Sequence, residues 1–228
     1  MLNSILNGQV SIGYVIMHIL AVTVTVMLIL PFHELAHGYI AYKLGDDTAK
    51  RAGRLTLNPL YHIDYIGALC LLLVGFGWAN PVPVNPRNLR NPKRDMAIVA
   101  LAGPVANLIA AVVGMLLMFL FNLITIRLSV DMSVCDLLLV FFDYYIRVNV
   151  GLAVFNLIPL PPLDGSKILG AFLPTETYVK MLQMERQLSI VLVVLVWLGI
   201  VGPVISVPIE LIVDVLYSLQ GILLILCL

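Results

Sequence analysis

The sequence predicts an all-α membrane protein, a multi-pass bundle of about four to six helical spans with a short membrane-associated β element and a re-entrant segment. Of its 228 residues, 61% are hydrophobic and 11% are charged, and the mean hydropathy is +1.03. A soluble fold could not cover so much apolar surface with so few charges, whereas a bilayer removes that need. We therefore expect the lipid bilayer as a partner. The formal net charge is zero, so we expect no nucleic acid as a partner.

Long apolar stretches predict the spans. Residues 12–32 and 96–126 contain no charged side chain, and residues 137–163 contain only Asp143 and Arg147 before Asp164. About 20 helical residues cross the hydrocarbon core at 1.5 Å per residue, so each stretch is long enough. Asp143 and Arg147 are four residues apart and can pair on one helix face. We expect residues 1–228 to form one integral membrane domain, with a core over about 12–170 and C-terminal helices over about 188–228.

The segment between the first two predicted spans is irregular. Residues 53–59 have the composition of a short strand closed by Asn58-Pro59, which is the predicted β element. Residues 66–79 are apolar but too short for an ordinary span, which favours a re-entrant segment. Residues 80–86 alternate with proline and should be extended, because a residue before proline avoids helical geometry.

The C-terminal part of the chain is apolar and interrupted by proline. Residues 188–209 form one run, broken by Gly202-Pro203 and Pro208. Residues 209–228 are apolar but hold Glu210 and Asp214. This last stretch is either a final span or a helix at the membrane interface, and the pattern does not separate the two.

Basic residues indicate the orientation. If residues 64–79 enter and leave the membrane on one side, 11 of the 13 lysines and arginines share that side: Lys43, Lys50, Arg51, Arg54, Arg87, Arg90, Lys93, Arg94, Lys167, Lys180 and Arg186. Cytoplasmic loops carry the excess of basic residues, so this side is predicted to be cytoplasmic. The N-terminus should then be outside, in a cell membrane that we expect to be prokaryotic.

A metal-binding motif follows the first apolar stretch. His33 and His37, in the pattern HExxH, are four residues apart and therefore share one helix face, where both can bind a single Zn²⁺. Glu34 lies about 100° around the helix, where it can act on water as a general base. Ionisable groups at the end of a membrane helix are costly and usually functional. The motif therefore predicts one zinc ion and a hydrolytic centre with Glu34 as its catalytic residue.

A catalytic zinc site needs a third protein ligand and an open position. The metzincin position for a third histidine is Lys43, and no glutamate occurs between Glu34 and Glu176. The ligand should therefore be a histidine, aspartate or cysteine elsewhere in the chain.

Asp164 is the best candidate for this ligand. Pro159, Pro161 and Pro162 interrupt the helix before it, and unwound backbone at membrane depth is tolerated where it lines a polar cavity. The predicted orientation also places Asp164 on the same side as the histidines. His62 and Asp64 are the alternatives, although both lie in a polar loop where exposure to solvent is the commoner role.

HExxH on one helix and Asn156-Leu-Ile-Pro-Leu-Pro-Pro-Leu-Asp-Gly165 on a later one resemble the site-2 protease family of intramembrane metalloproteases. The resemblance extends over most of residues 30–170 and includes residues 53–59, 77–86 and 102–107. It implies zinc ligands at His33, His37 and Asp164, with Glu34 as catalytic base. It also implies that Asn156 binds the substrate strand or the oxyanion, and that this is a compact member without a PDZ insertion.

The expected activity is that of a zinc metalloendopeptidase cutting peptide bonds within or near transmembrane segments of membrane proteins, as in regulated intramembrane proteolysis. An extended substrate could add as a strand beside Arg54–Leu57 or Val82–Val84. The alternative function is a metal-ion transporter or channel, but its acidic and histidine residues would follow a path through several spans. Here they converge at the ends of two helices. An inactive homologue is a third possibility, against which the intact motifs argue.

Overall fold

The computed structural model describes residues 12–64, 67, 80–128 and 132–227. Apart from Gly67, the predicted re-entrant segment lies outside the described residues. The described part is predominantly helical, with these bounds: α1 Ile12–Val24, α2 Leu30–Lys43, α3 Thr48–Arg51, α4 Pro92–Leu128, α5 Met132–Asn156, α6 Asp164–Phe172, α7 Thr175–Gln183, α8 Glu185–Trp197 and α9 Val201–Cys227. Short 3₁₀ turns occupy Pro59–Tyr61 and Pro86–Asn88.

The two halves of the first long helix meet at a π-helical turn. This turn spans Thr25–Ile29 and connects α1 to α2, in which Pro31 is the second residue. Proline has no N–H to donate to the carbonyl of Met27, four residues earlier, so the regular α-helical ladder cannot continue there. The helix is therefore disturbed by a wider turn shortly before the histidines.

Three described helices are long and apolar enough to cross a membrane: α4, Cys135–Asn156 of α5, and α9. The predicted span 137–163 is too long, because α5 ends at Asn156 and the proline-rich residues after it are irregular. Residues 209–228 belong largely to α9, so the final-span alternative fits their length and composition. The predicted breaks at Gly202-Pro203 and Pro208 are wrong: Pro208 lies inside α9, and α8 and α9 separate at residues 198–200, where Gly199 has φ +72°.

The position of that break has a simple cause. Glycine adopts a positive φ without the steric penalty of a side chain, and helices commonly end at such a residue. Pro203 is the third residue of α9, where the N–H of an ordinary residue would have no partner within the helix. Proline is tolerated in this first turn, so Gly202-Pro203 does not interrupt α9.

Among the described residues, the predicted β element has no strand to pair with. The described residues contain no β-strand, and residues 53–58 have no regular structure before the 3₁₀ turn at Pro59. A strand needs a neighbour to satisfy its backbone groups, and none of the described segments supplies one. The β element therefore stays a prediction.

Helix α4 lies at the centre of the described bundle. It packs against α2, α5, α6 and α9, while α1 packs against α5. The buried apolar cluster lies between α4, α5 and α9 and comprises Ala111, Met115, Ile146, Val150, Val213 and Leu216. Because α2 and α6 both contact α4, the HExxH motif and Asp164 are carried on two helices that share one support.

An ion cluster also joins α5 to α9. The predicted Asp143–Arg147 pair forms, with Arg147 Nε 2.9 Å from Asp143 Oδ1. Arg147 Nη1 additionally donates to both carboxylate oxygens of Glu210 at 2.9 Å, and the Tyr217 hydroxyl donates to Asp143. Ionisable groups inside membrane helices generally pair with one another. Arg147 thus provides a partner for the charge of Glu210. That charge was one reason why the sequence did not separate a final span from an interfacial helix over residues 209–228.

Candidate active site

The HExxH motif lies on α2, on the side that faces the bundle. Its residues His33, Glu34 and His37 are 5%, 9% and 8% exposed. The four-residue spacing puts both imidazoles on one face, and their rings meet edge to face with centroids 4.6 Å apart. Their Nε2 atoms are 3.0 Å apart. Both nitrogens therefore point into the same small volume.

Asp164 enters this volume from the opposite side. It is the first residue of α6 and is 6% exposed. Its Oδ2 atom lies 3.3 Å from His33 Nε2 and 3.1 Å from His37 Nε2. The positive end of the α6 dipole favours a carboxylate at this position. The structure thus brings together the two histidines and the aspartate that the resemblance identified.

The ionised form of Asp164 is favoured. Burial by itself raises the pKa of this carboxyl, but hydrogen bonding to His33 and His37 and the nearby charge of Lys167 hold it below its usual range. Lys167 Nζ lies 3.4 Å from the second carboxylate oxygen, Oδ1. Because Oδ1 faces Lys167, Oδ2 is left to face the imidazoles.

The donor set and its spacing fit a zinc ion. The three facing atoms are 3.0, 3.1 and 3.3 Å apart, and these residues form the metal-binding cluster of the described part of the chain. Tetrahedral zinc with bonds of about 2.0–2.2 Å holds its ligands about 3.3–3.5 Å apart, so only a slight expansion is needed. Two nitrogens and one oxygen also leave the fourth position open, as a catalytic site requires.

Helix α4 fixes the orientation of the imidazoles. His37 Nδ1 lies 2.7 Å from the carbonyl oxygen of Val99 and donates to it, so Nε2 is the nitrogen that would bind the metal in place of a proton. Gly103 lies directly beside the Nε2 atoms of both rings. A Cβ atom on Gly103 would lie 2.4 Å from His37 Nε2 and 2.5 Å from His33 Nε2. The glycine at this position is therefore required for the close approach of α4 to the ligands.

A second glycine permits the approach of α6. The backbone before Asp164 folds back so that a Cβ atom on Gly165 would lie 2.2 Å from the carbonyl oxygen of Leu157 and 2.4 Å from that of Ile158. No side chain fits in this space. Gly165 therefore allows the irregular residues 157–163 to pack against the start of α6 and to place Asp164 at the cluster.

Glu34 is held by the proline-containing segment 80–85. Its Oε2 atom accepts a hydrogen bond from the backbone N–H of Val82 at 2.8 Å. Both residues are buried. Because one carboxylate oxygen is occupied by this bond, the orientation of the other is restricted. Sequence reasoning identified Glu34 but not its partner, since no side-chain pattern marks a backbone donor.

A cavity of about 600 Å³ adjoins the cluster, and its polar lining includes Glu34, Asp64, Asn156, Lys167, Glu185 and Ser189. Asn156 therefore lines the cavity. Its Nδ2 atom donates to the carbonyl oxygen of Leu152 at 3.0 Å, within its own helix. One N–H of the amide is thus tied to α5 in this arrangement, which leaves its second N–H and its oxygen as the remaining polar groups.

The two alternative ligands make other contacts. His62 is fully buried, and its Nε2 atom lies 2.8 Å from the carbonyl oxygen of Thr56. Asp64 accepts a hydrogen bond from the N–H of Gly67 at 2.8 Å. Neither belongs to the metal-binding cluster of the described residues. Sequence reasoning also missed Lys167, although its place three residues after Asp164 on a helix would have put it on the same face.

Known proteins with similar sequences are peptidases by name. The profile of peptidase family M50 matches residues 124–201, which include Asn156 and Asp164. "Putative zinc metalloprotease YwhC" of Bacillus subtilis strain 168 is 45% identical over 172 residues, covering 75% of this chain and 78% of that protein. "Putative zinc metalloprotease Rip2" of Mycolicibacterium smegmatis is 31% identical over 156 residues, or 66% of this chain and 56% of that protein.

A third relative is archaeal. "Putative zinc metalloprotease MJ0611" of Methanocaldococcus jannaschii is 30% identical over 138 residues, covering 60% of this chain and 63% of that protein. No solved structure matches the chain significantly. None of these three relatives is named a transporter. With 45% identity over most of a relative's length and a matching family profile, the chain belongs to peptidase family M50, the site-2 protease family that its motifs resemble.

Proposed function

We propose that this chain is a zinc metalloendopeptidase that hydrolyses peptide bonds within or near the transmembrane segments of other membrane proteins. The observation that carries this proposal is the convergence of His33, His37 and Asp164 beside the buried carboxylate of Glu34. The cluster opens into a cavity and is carried by helices that pack on a span-length helix. Such a site can act on peptide bonds at membrane depth, where water is otherwise scarce.

His33, His37 and Asp164 are the residues that would hold the zinc ion. When bound, zinc supplies a Lewis acid that polarises a carbonyl group and acidifies water. The chain's own contribution is geometric. Val99 fixes the tautomer of His37, and Lys167 leaves only one oxygen of Asp164 facing the imidazoles.

Glu34 is proposed to be the general base. Its carboxylate takes a proton from the attacking water and later gives it to the leaving amine. Val82 holds one of its oxygens, so the other is available for this transfer. Asn156 is proposed to stabilise the oxyanion by hydrogen bonding, through the N–H of its amide that does not donate to the carbonyl of Leu152.

The substrate is proposed to pair with residues 55–57 rather than with residues 82–84. Pro81 and Pro83 have no N–H, and the N–H of Val82 is bonded to Glu34, so that segment has few donors to offer. Among the described contacts, the N–H groups of residues 55–57 donate to no other group. Backbone pairing there would extend the substrate and expose its scissile bond. The predicted β element would then form only with its substrate.

The finer topology is also part of the proposal. Residues 12–32 are proposed as a span in addition to the three helices of sufficient length, with the basic loops and the active site toward the cytoplasm. Residues 1–228 are proposed to form a single protease domain. The partners would be single-span or multi-span proteins that reach the site laterally from the bilayer, as regulated intramembrane proteolysis requires.

Glu34→Gln tests the proposal. The variant keeps the size of the side chain but cannot accept a proton, so cleavage should fall by at least about 100-fold, while one zinc per chain is retained. Membrane proteomes of cells with the wild-type and variant proteins should differ by uncut substrates and their products. Glu176→Gln, which alters an exposed glutamate of α7, is the matched control. Full proteolysis by Glu34→Gln, or zinc flux without proteolysis in liposomes, would reject the proposal.

A further inference from the structure

One peptide group lies between a cation and the buried carboxylate of Glu34. Arg54 Nη2 donates to the carbonyl oxygens of Asn80 and Pro81, at 2.8 and 3.3 Å. The next N–H along the chain, that of Val82, donates to Glu34 Oε2 at 2.8 Å. The Pro81 carbonyl and the Val82 N–H belong to the same planar peptide unit. A rigid group of six atoms therefore connects the guanidinium to the proposed general base.

We propose that Arg54 is a positioning residue for Glu34 and acts on it through the Pro81–Val82 peptide group. The inference rests on the proposed role of Glu34 as general base. It assigns to Arg54 a role in the chemical step without any contact between Arg54 and the substrate.

The contact of Arg54 with the Pro81 carbonyl strengthens the hydrogen bond from Val82 to Glu34 electrostatically. A cation at the carbonyl end of a peptide group draws electron density toward the oxygen and makes the N–H a better donor. A carboxylate acceptor gives a charge-assisted hydrogen bond, which is about twice as strong as a neutral one. Arg54 and Glu34 thus each strengthen the hydrogen bond that the other makes with the Pro81–Val82 peptide group.

The contact also fixes the position of the donor. Arg54 grips two successive carbonyls, of which the second is the one attached to the Val82 nitrogen. Pro81 and Pro83 restrict the backbone on both sides of Val82 and offer no competing N–H. Further along, the N–H of Asn85 donates to buried Asp46 at 2.7 Å. The donor to Glu34 is therefore held from both directions along the chain.

Arg54→Met tests the proposal, with kcat and KM measured separately. The substrate is a single-span peptide that the wild-type enzyme cleaves in the proteome comparison above. Loss of the guanidinium should lower kcat by about 10- to 100-fold, the range typical of residues that orient a catalytic group. KM should stay within about twofold, because the residues proposed to pair with the substrate are 55–57 and the N–H of Arg54 already donates to Ala49, and zinc should remain at one per chain.

Two further variants of Arg54 and its neighbourhood sharpen the result. Arg54→Lys should restore only part of kcat, because a lysine keeps the charge but its flexible ammonium group does not hold both carbonyls in the fixed geometry of guanidinium Nη2. Arg51→Met is the matched control. Arg51 lies three residues earlier, and its exposed side chain pairs with Asp47 at 2.7 Å. It should leave kcat unchanged.

Val82→Pro removes the donor itself, and Val82→Ala keeps it. The proline variant should lower kcat as Arg54→Met does, and the double variant should be no worse than the poorer single variant, because both act through one bond. The proposal is overturned if Arg54→Met changes only KM, if its loss of kcat merely follows loss of zinc or of folded protein, or if Val82→Pro is as active as Val82→Ala. In each of these cases, the proposed function still stands if the wild-type enzyme cleaves its substrate and Glu34→Gln does not.

Discussion

At the scale of single residues, the space around the ligands matters as much as the ligands. The Nε2 atoms of His33 and His37 and the Oδ2 atom of Asp164 lie within 3.3 Å of one another. Gly103 of α4 closes this volume from behind, at a distance that admits no side chain. The metal site therefore depends on a residue that donates nothing to the metal.

Gly103→Ala should abolish zinc binding. The added methyl group would lie 2.4 Å from His37 Nε2, so either the imidazoles or α4 must move. We expect zinc content to fall well below one per chain and proteolysis to fall by at least about tenfold, as metal analysis and peptide cleavage would show. Gly221→Ala is the control, because a Cβ atom there meets nothing within 4 Å. Normal zinc content in Gly103→Ala would mean that α4 can retreat without disturbing the ligands.

At the scale of elements, a buried aspartate connects the end of α2 to the segment that positions Glu34. Asp46 is fully buried, and it accepts hydrogen bonds from the N–H of Asn85 at 2.7 Å and from Asn88 Nδ2 at 2.8 Å. The N–H and hydroxyl of Thr48 donate to it as well. Burial raises the pKa of Asp46, but these hydrogen bonds outweigh it and hold the pKa below its ordinary value of 3.8.

Asp46→Asn should destabilise the protein by about 2 kcal/mol at neutral pH, since the carboxylate accepts several bonds that an amide cannot all replace. A carboxyl whose folded pKa is lowered contributes its full stabilisation above its unfolded pKa and loses it as the pH falls through the folded value. The difference in the free energy of unfolding between wild type and Asp46→Asn should thus be constant from about pH 5 to 8, where nearly all such carboxyls are ionised. It should become smaller below about pH 4. Thermal unfolding in detergent at several pH values would measure it.

Asp47→Asn provides the control for this element. Asp47 pairs with Arg51 at the surface, and exposed pairs of this kind contribute little to stability. If Asp46→Asn is no less stable than Asp47→Asn, the connection between α2 and residues 85–88 is dispensable for stability.

At the scale of the whole molecule, the proposed orientation can be measured by labelling. In a protein whose native cysteines are replaced by serine, Lys180→Cys should react with a membrane-impermeant thiol reagent only after the membrane is opened, and Arg127→Cys should react in intact cells. Lys180 and Arg127 are both exposed, so access to the reagent depends on the side of the membrane alone. Labelling of both cysteines in intact cells would contradict the arrangement in which basic loops are cytoplasmic.

The sequence predicted the groups that carry recognisable chemistry. The spacing of His33 and His37 and the proline-rich approach to Asp164 are local patterns, and the family resemblance joined them across more than a hundred residues. The predicted pairing of Asp143 with Arg147 also followed from helical spacing. Each of these predictions uses either a short-range periodicity or a motif.

Contacts between distant backbone atoms could not be predicted in this way. The bond from Val82 to Glu34 involves an N–H group that every residue except proline has, so the sequence does not mark it. The need for Gly103 depends on how closely α4 approaches α2, which is a property of the packed bundle. Likewise, Pro203 is a stronger sequence indicator of a helix break than Gly199, four residues before it. Only its position in the first turn of α9 shows why Pro203 is tolerated.

The bond between Arg147 and Glu210 has a consequence for biogenesis. A lone arginine or glutamate passing from the translocon into lipid carries a large insertion cost, which is lowered when the opposite charge is already at the same depth. Glu210 belongs to α9, which is synthesised after α5, so its partner has been made well before it emerges. Insertion of α9 into the membrane would therefore depend on a segment made earlier, and the order of synthesis would be part of how the bundle is completed.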